Sequence, residues 1–108
     1  MNKANLHKLV IEAIKAERVW ISVHVVRRMG ERNLLLESII ESALRASIVE
    51  VEIDIYYKGY YDPTCSIIGT TKNGVKVVSV WAYNKEAKLA RLITAYFHKS
   101  WFSSRIRR

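Results

Sequence analysis

The hydrophobic period of this chain changes once, and that change limits how its elements can be layered. Up to Leu44, apolar residues recur at helical spacing. Leu6, Leu9, Val10, Ala13 and Ile14 fall on one face of a first helix, and Leu36, Ile39, Ile40, Ala43 and Leu44 repeat the stripe in a later one, with Glu37, Ser38, Glu41 and Ser42 facing away. From Ile48 the period becomes two: Val49, Val51, Ile53 and Ile55 alternate with Glu50, Glu52 and Asp54, as in a strand buried on one face. Helical stripes first and alternating strands afterwards predict an α+β domain, with N-terminal helices packed on one face of a curved antiparallel sheet of about four strands.

Local signals place the boundaries. Helices are expected over about 3–17, from Ser22 as N-cap to Asn33 as a left-handed terminator, and over 36–45. Arg18 to Ser22 reads as a β-leaning link. Strands are expected over 48–55, 66–71, 75–83 and 89–97, and the Tyr-rich segment 56–63, with Gly59 and Pro63, reads as a turn or loop. Lys72-Asn73-Gly74 predicts a tight type I′ hairpin, because Asn-Gly tolerates positive φ at both central positions. The strand side of the core should come from Val49, Val51, Ile53, Ile67, Val78, Val80 and either Leu92 or Ile93, depending on register.

The 108 residues suit one domain, with residues 1–19 as an added helix, 20–97 as the core and 98–108 as a basic aromatic tail. No apolar run approaches the roughly 20 residues that cross a bilayer, so no membrane partner and a cytoplasmic location are expected. Cys65 is the only cysteine, and His7, His24 and His98 are dispersed, so no metal site or cofactor is expected. His7 should sit on the exposed side of the first helix. The net charge of +8 arises in the C-terminal part, where residues 64–108 carry nine basic side chains against Glu86 alone. A field of that sign attracts polyanions, nucleic acid first among them, without specifying which sequence is read.

The segment HVVRRMGER, residues 24–32, is where charge and periodicity meet. Each i, i+4 step on a helix turns about 400°, so Arg28 lies about 40° round from His24 and Arg32 about 80°, on one shared face. Val25 and Met29 form a small apolar strip that can dock the helix. Like charges at i, i+4 repel by a few tenths of a kcal/mol, so the arginine pair adds no helical stability unless an anion or carboxylate lies between them. A solvated basic face explains the same spacing. In the last strand, Thr94, Tyr96 and His98 alternate with Ile93, Ala95 and Phe97, which gives a polar stripe. Histidine, arginine and tyrosine together have the chemistry for RNA cleavage by the RNA's own 2′-hydroxyl. That reaction needs a base, a cation to stabilise the phosphorane, and a donor for the leaving oxygen.

The string His24-x-x-x-Arg28-Met29-x-x-Arg32, the helix at 36–45, the strands IVEVE and SIIG, the Asn-Gly turn with VKVVSV, and the closing Thr94-Ala95-Tyr96 resemble a family of small proteins known only as a domain of unknown function. Those proteins are grouped with the barnase, EndoU, colicin and RelE-like nuclease fold. The resemblance covers about residues 20–97. It implies a toxin-like, metal-independent ribonuclease acting on tRNA or ribosome-bound mRNA, with an antitoxin or immunity protein as a further partner. On that resemblance His24 is the general base or acid, Arg28 and Arg32 hold phosphate, Tyr96 is a donor and Thr94 positions. Arg27, Lys76, Arg91, His98 and Lys99 would extend the RNA-binding surface. The alternative is a non-catalytic RNA- or protein-binding module, and a third reading is a structural or dimerising protein, a homodimer whose acidic strand, Glu50 to Asp54, pairs with the basic tail of a neighbour. The cluster Tyr56, Tyr57, Tyr60 and Tyr61 suits either base stacking or a protein contact.

Overall fold

A computed structural model of the protein describes residues 3–52 and 62–98. Its elements are α1 (Lys3–Lys15), β1 (Val19–Ile21), α2 (Val23–Glu31), α3 (Leu36–Leu44), β2 (Ala46–Glu52), β3 (Thr64–Thr70), β4 (Lys76–Asn84) and β5 (Leu89–Phe97). The fold is α+β, with the helices preceding the antiparallel meander β2-β3-β4-β5, as the change of period requires. The sheet nevertheless has five strands, in the order β1-β5-β4-β3-β2. The link expected at Arg18–Ser22 is in fact an edge strand running parallel to β5, pairing Val19 with Ala90, Trp20 with Arg91 and Ile21 with Leu92. Two contacts from Arg18 fix its start: its carbonyl accepts from the Ala90 N–H at 2.9 Å, and its Nε donates to the Lys88 carbonyl at 2.9 Å.

The core lies between the helices and one face of the sheet. Leu6, Val10, Ala13 and Ile14 of α1, Val25 and Met29 of α2, and Ile39 and Ala43 of α3 close on Cys65, Ile67, Val77, Trp81, Tyr83, Ala90, Leu92 and Ala95. Trp81 is fully buried, and its indole N–H donates to Ser79 Oγ at 2.8 Å, so the large ring enters without an unmet donor. Val78 and Val80, expected in this core, are buried on the opposite face, since alternation along β4 separates them from Val77 and Trp81. Between Leu92 and Ile93, register selects Leu92; Ile93 is the extra residue of a bulge, where Val80 pairs with Thr94 but Trp81 with Leu92. That bulge is what allows both Leu92 and Ala95 to face the helices. The side chains of Val49 and Val51, the residues Ile53 and Ile55, the Tyr56–Tyr61 cluster, Lys99 and the rest of the basic tail lie outside the described residues.

The α3 stripe is rotated from its expected position. Ser42 is buried rather than outward, its hydroxyl donating to the Ile39 carbonyl at 2.8 Å, while Leu36 and Leu44 are exposed. Two polar contacts hold α3 over the β3–β4 hairpin. The Glu41 carboxylate accepts from the Lys72 N–H, and Arg45 Nε donates to the Thr70 carbonyl at 3.1 Å. The hairpin itself is not the expected two-residue type. Only Gly74 (φ 85°) has positive φ there, the Gly74 N–H donates to the Thr71 carbonyl at 3.0 Å and the Thr71 N–H to the Val75 carbonyl at 2.9 Å. Residues 72–74 thus form a three-residue loop that closes on a left-handed glycine.

His7 also departs from expectation. It is half-buried, its Nε2 has no hydrogen-bond partner among the described residues, and desolvation holds its pKa below the ordinary 6.5. The unfolded chain therefore takes up the proton first on acidification. Folding stability should decline as pH falls below about 6.5, until the folded imidazole itself protonates. Chemical denaturation across pH 5–8 will show this slope in the native sequence and a shallower one in His7→Leu. Burial likewise pushes the Cys65 thiol up to about 12. An aromatic disulfide reagent at pH 8 should release no thiolate from the folded protein and one equivalent in denaturant.

Candidate phosphate-binding cleft

Helix α2 brings its basic face to β5 because both its ends are fixed. Ser22 caps the start, its Oγ accepting from the Val25 N–H at 3.1 Å; Asn33 (φ 54°) follows the last turn in the left-handed conformation. Val25 and Met29 are buried against the sheet, so the face one step round the helix overlooks the bulged part of β5. A cleft of about 210 Å³ results, lined by His24, Val25, Arg28, Met29, Arg32, Ile93, Thr94 and Ala95. Four of the five residues expected to act in catalysis, His24, Arg28, Arg32 and Thr94, meet there.

They are held to different degrees. Arg32 Nη1 donates to Thr94 Oγ1 at 3.1 Å and to the Ala95 carbonyl at 2.7 Å, which ties the end of α2 to β5. The side chains of His24 and Arg28 are exposed and make no hydrogen bond or ion pair among the described residues. Arg28 is thus an uncompensated cation beside an arginine whose Nη1 is engaged, and the cleft wall presents guanidinium, imidazole and hydroxyl groups with no carboxylate among its lining residues. An oxyanion of two or more acceptor oxygens suits that set, since guanidinium groups donate in a planar fork.

The other expected residues are placed elsewhere. Tyr96, paired with Val78, alternates away from Ala95, is 42% exposed and does not line the cleft. Arg27 is exposed and also outside it. Lys76 and His98 close the far end of the β4–β5 ladder, where the His98 N–H donates to the Lys76 carbonyl at 2.9 Å. Arg91 lies 3.6 Å from the Asp62 carboxylate. Two features of the cleft had no sequence signal: the bulge at Ile93, and the Ala95 carbonyl as the anchor of Arg32. Among the described residues, no group of three or more His, Cys, Asp or Glu side chains is placed to hold a metal ion.

Residues 21–97, more than half of the chain, match the family described as Domain of unknown function (DUF4258). The chain belongs to this family. The matched DUF4258 region starts within β1 and ends with β5, so it includes all eight residues that line the cleft and leaves α1 outside. No curated protein and no solved structure matches the chain. No described helix is long and apolar enough to cross a membrane.

The contrast between the two arginines is measurable. Arg32→Ala strips a partly buried carbonyl of its partner and should cost about 1–3 kcal/mol in urea unfolding. Arg28→Ala should change stability by no more than about 0.5 kcal/mol.

Proposed function

We propose that the cleft holds an RNA phosphodiester and that the protein is a toxin-like, metal-independent ribonuclease acting in the cytoplasm. The observation that carries this reading is the convergence of His24, Arg28, Arg32 and Thr94 on one cleft. In the reaction, His24 takes the 2′-hydroxyl proton and the 2′-oxygen attacks phosphorus. Arg28 and Arg32 offset the charge that builds on the pentacoordinate phosphorane, and Thr94 with Arg32 positions the phosphate. The 5′-oxygen leaves with a proton from the imidazolium or water, giving a 2′,3′-cyclic phosphate. Tyr96, outside the cleft wall, becomes a surface contact to RNA rather than the acid. Kinship with the RelE and colicin-like nucleases, a tRNA or ribosome-bound mRNA substrate and an antitoxin or immunity partner belong to the same proposal.

A second reading has its own support. The His24 imidazole lacks a partner among the described residues that would fix its tautomer, and a base in such chemistry is normally oriented by a third group. The same cleft would then bind RNA without cutting it.

Incubation with total tRNA and with ribosome-bound mRNA in EDTA separates the two. Cleavage predicts discrete fragments ending in 2′,3′-cyclic phosphate. His24→Ala should slow their formation by about 10²–10⁴-fold with little change in affinity, and Tyr96→Phe should retain most of the rate. Binding alone predicts no product, and an affinity whose salt dependence becomes shallower in Arg28→Ala.

A further inference from the structure

Trp20 stands outside the hydrophobic core. Its neighbours Val19 and Ile21 pack against the core, whereas Trp20 alternates to the other side of the edge strand and is 49% exposed. It borders a second hollow, of about 250 Å³, with Asp62, Asn84, Ala87, Leu89 and Arg91. Indole and guanidinium planes are the surfaces on which unpaired bases stack. The polar groups of this hollow are also of a defined kind. The Asp62 carboxylate is an acceptor only, is partly exposed and lies 3.6 Å from Arg91. Asn84 Oδ1 is occupied by the Ala87 N–H at 2.8 Å, which fixes the amide so that its Nδ2 donors are the part left for a ligand.

We propose that this hollow is a nucleobase subsite for guanine, serving the nucleotide next to the phosphate in the cleft; the pairing with the cleft rests on the RNA-binding reading above. Guanine alone of the four RNA bases presents two adjacent N–H donors, N1–H and N2–H, beside a carbonyl acceptor, O6, on its Watson–Crick edge. A carboxylate takes the two donors and the Asn84 amide donates to the carbonyl, while Trp20 supplies the stacking face. Uracil and cytosine each bring a second acceptor towards Asp62, and adenine brings one donor beside an acceptor. The spacing suits adjacent nucleotides. Arg91 and Thr94 are three residues apart on β5 with the Ile93 bulge between them, under about 10 Å along the strand, and β1 leads through Ser22 directly into the turn of α2 that carries His24. A base can enter the hollow only from an unpaired strand, so the inference names single-stranded, guanine-containing RNA as the ligand.

The test is titration of the isotopically labelled full chain with guanosine, adenosine, cytidine and uridine 3′-monophosphates and with inorganic phosphate, followed by NMR. The Trp20 indole N–H resonance is assigned by its loss in Trp20→Phe, and the Thr94 amide reports on the cleft. The expected result is a saturable shift of Trp20 with the guanosine nucleotide, at least about ten-fold weaker with the others, which lose a hydrogen bond to the carboxylate, and absent with phosphate. Asp62→Asn should remove the preference for guanosine while leaving the resonances of the core unchanged. A shift at Thr94 with every nucleotide and none at Trp20 would overturn the subsite and leave the cleft standing. A Trp20 shift without any at Thr94 would support the base site and remove the phosphate cleft. Equal responses of Trp20 to all four nucleotides, or no response at either reporter, would overturn the guanine assignment.

Discussion

Strand β5 is bonded to β4 along its whole length, but to β1 only over Ala90–Leu92. Beyond Leu92, backbone groups on the β1 side of β5 must find other partners, because a polar backbone group removed from water without one costs as much as a lost hydrogen bond. The Ala95 carbonyl finds Arg32. Helix α2 is drawn to that position because the three-residue β1 stops and hands over to it through Ser22. The same short strand that leaves the edge incomplete therefore delivers the helix that completes it, and the cleft is the space between the two.

Within that space the cations divide the labour. Arg32 is anchored and orients the wall; Arg28 has no partner among the described residues. Two guanidinium groups on successive turns repel one another modestly in water, and more strongly as the surroundings lose water. An anion between them converts that repulsion into attraction on both sides. On the proposed reading the site is preorganised by a contact that also stabilises the fold, and it retains one cation whose energy is released only on binding.

Sequence patterns made visible much of what depends on near neighbours, the type of the 72–74 turn excepted. The α1 stripe of Leu6, Val10, Ala13 and Ile14 is buried as its spacing implies, and Ser22 caps α2 as its position implies. What depends on distant partners was hidden. Val19–Ile21 is too short to read as a strand, and its pairing is decided by residues some seventy positions later. The bulge at Ile93 follows from the fit of Leu92 and Ala95 to the helices rather than from any residue at the bulge. Ser42 is buried because a hydroxyl that can bond its own helix backbone is tolerated in a core, and composition cannot reveal that. The face shared by His24, Arg28 and Arg32 was legible because it lies on a single helix; their meeting with Thr94 is a matter of packing, as is Tyr96's absence from the cleft.

On the proposed reading, the position of the cleft at an incomplete sheet edge bears on which RNA fits it. A rigid A-form duplex offers its phosphates on a convex surface and keeps its bases stacked inside, whereas the cleft is lined from α2 and β5 and the Trp20 hollow from β1, Asp62, the end of β4, Ala87 and the start of β5. A ligand reaching both has to present a phosphate and an unstacked base together. A flexible single strand can do so, with its phosphate on the arginines and its base against the indole, and loops or ends of folded RNA supply such strands. Only Glu86 offsets the positive charge of residues 64–108, and that field favours the approach of any RNA equally. On this reading selectivity comes from the geometry of the edge, and the charge sets how often it is tried.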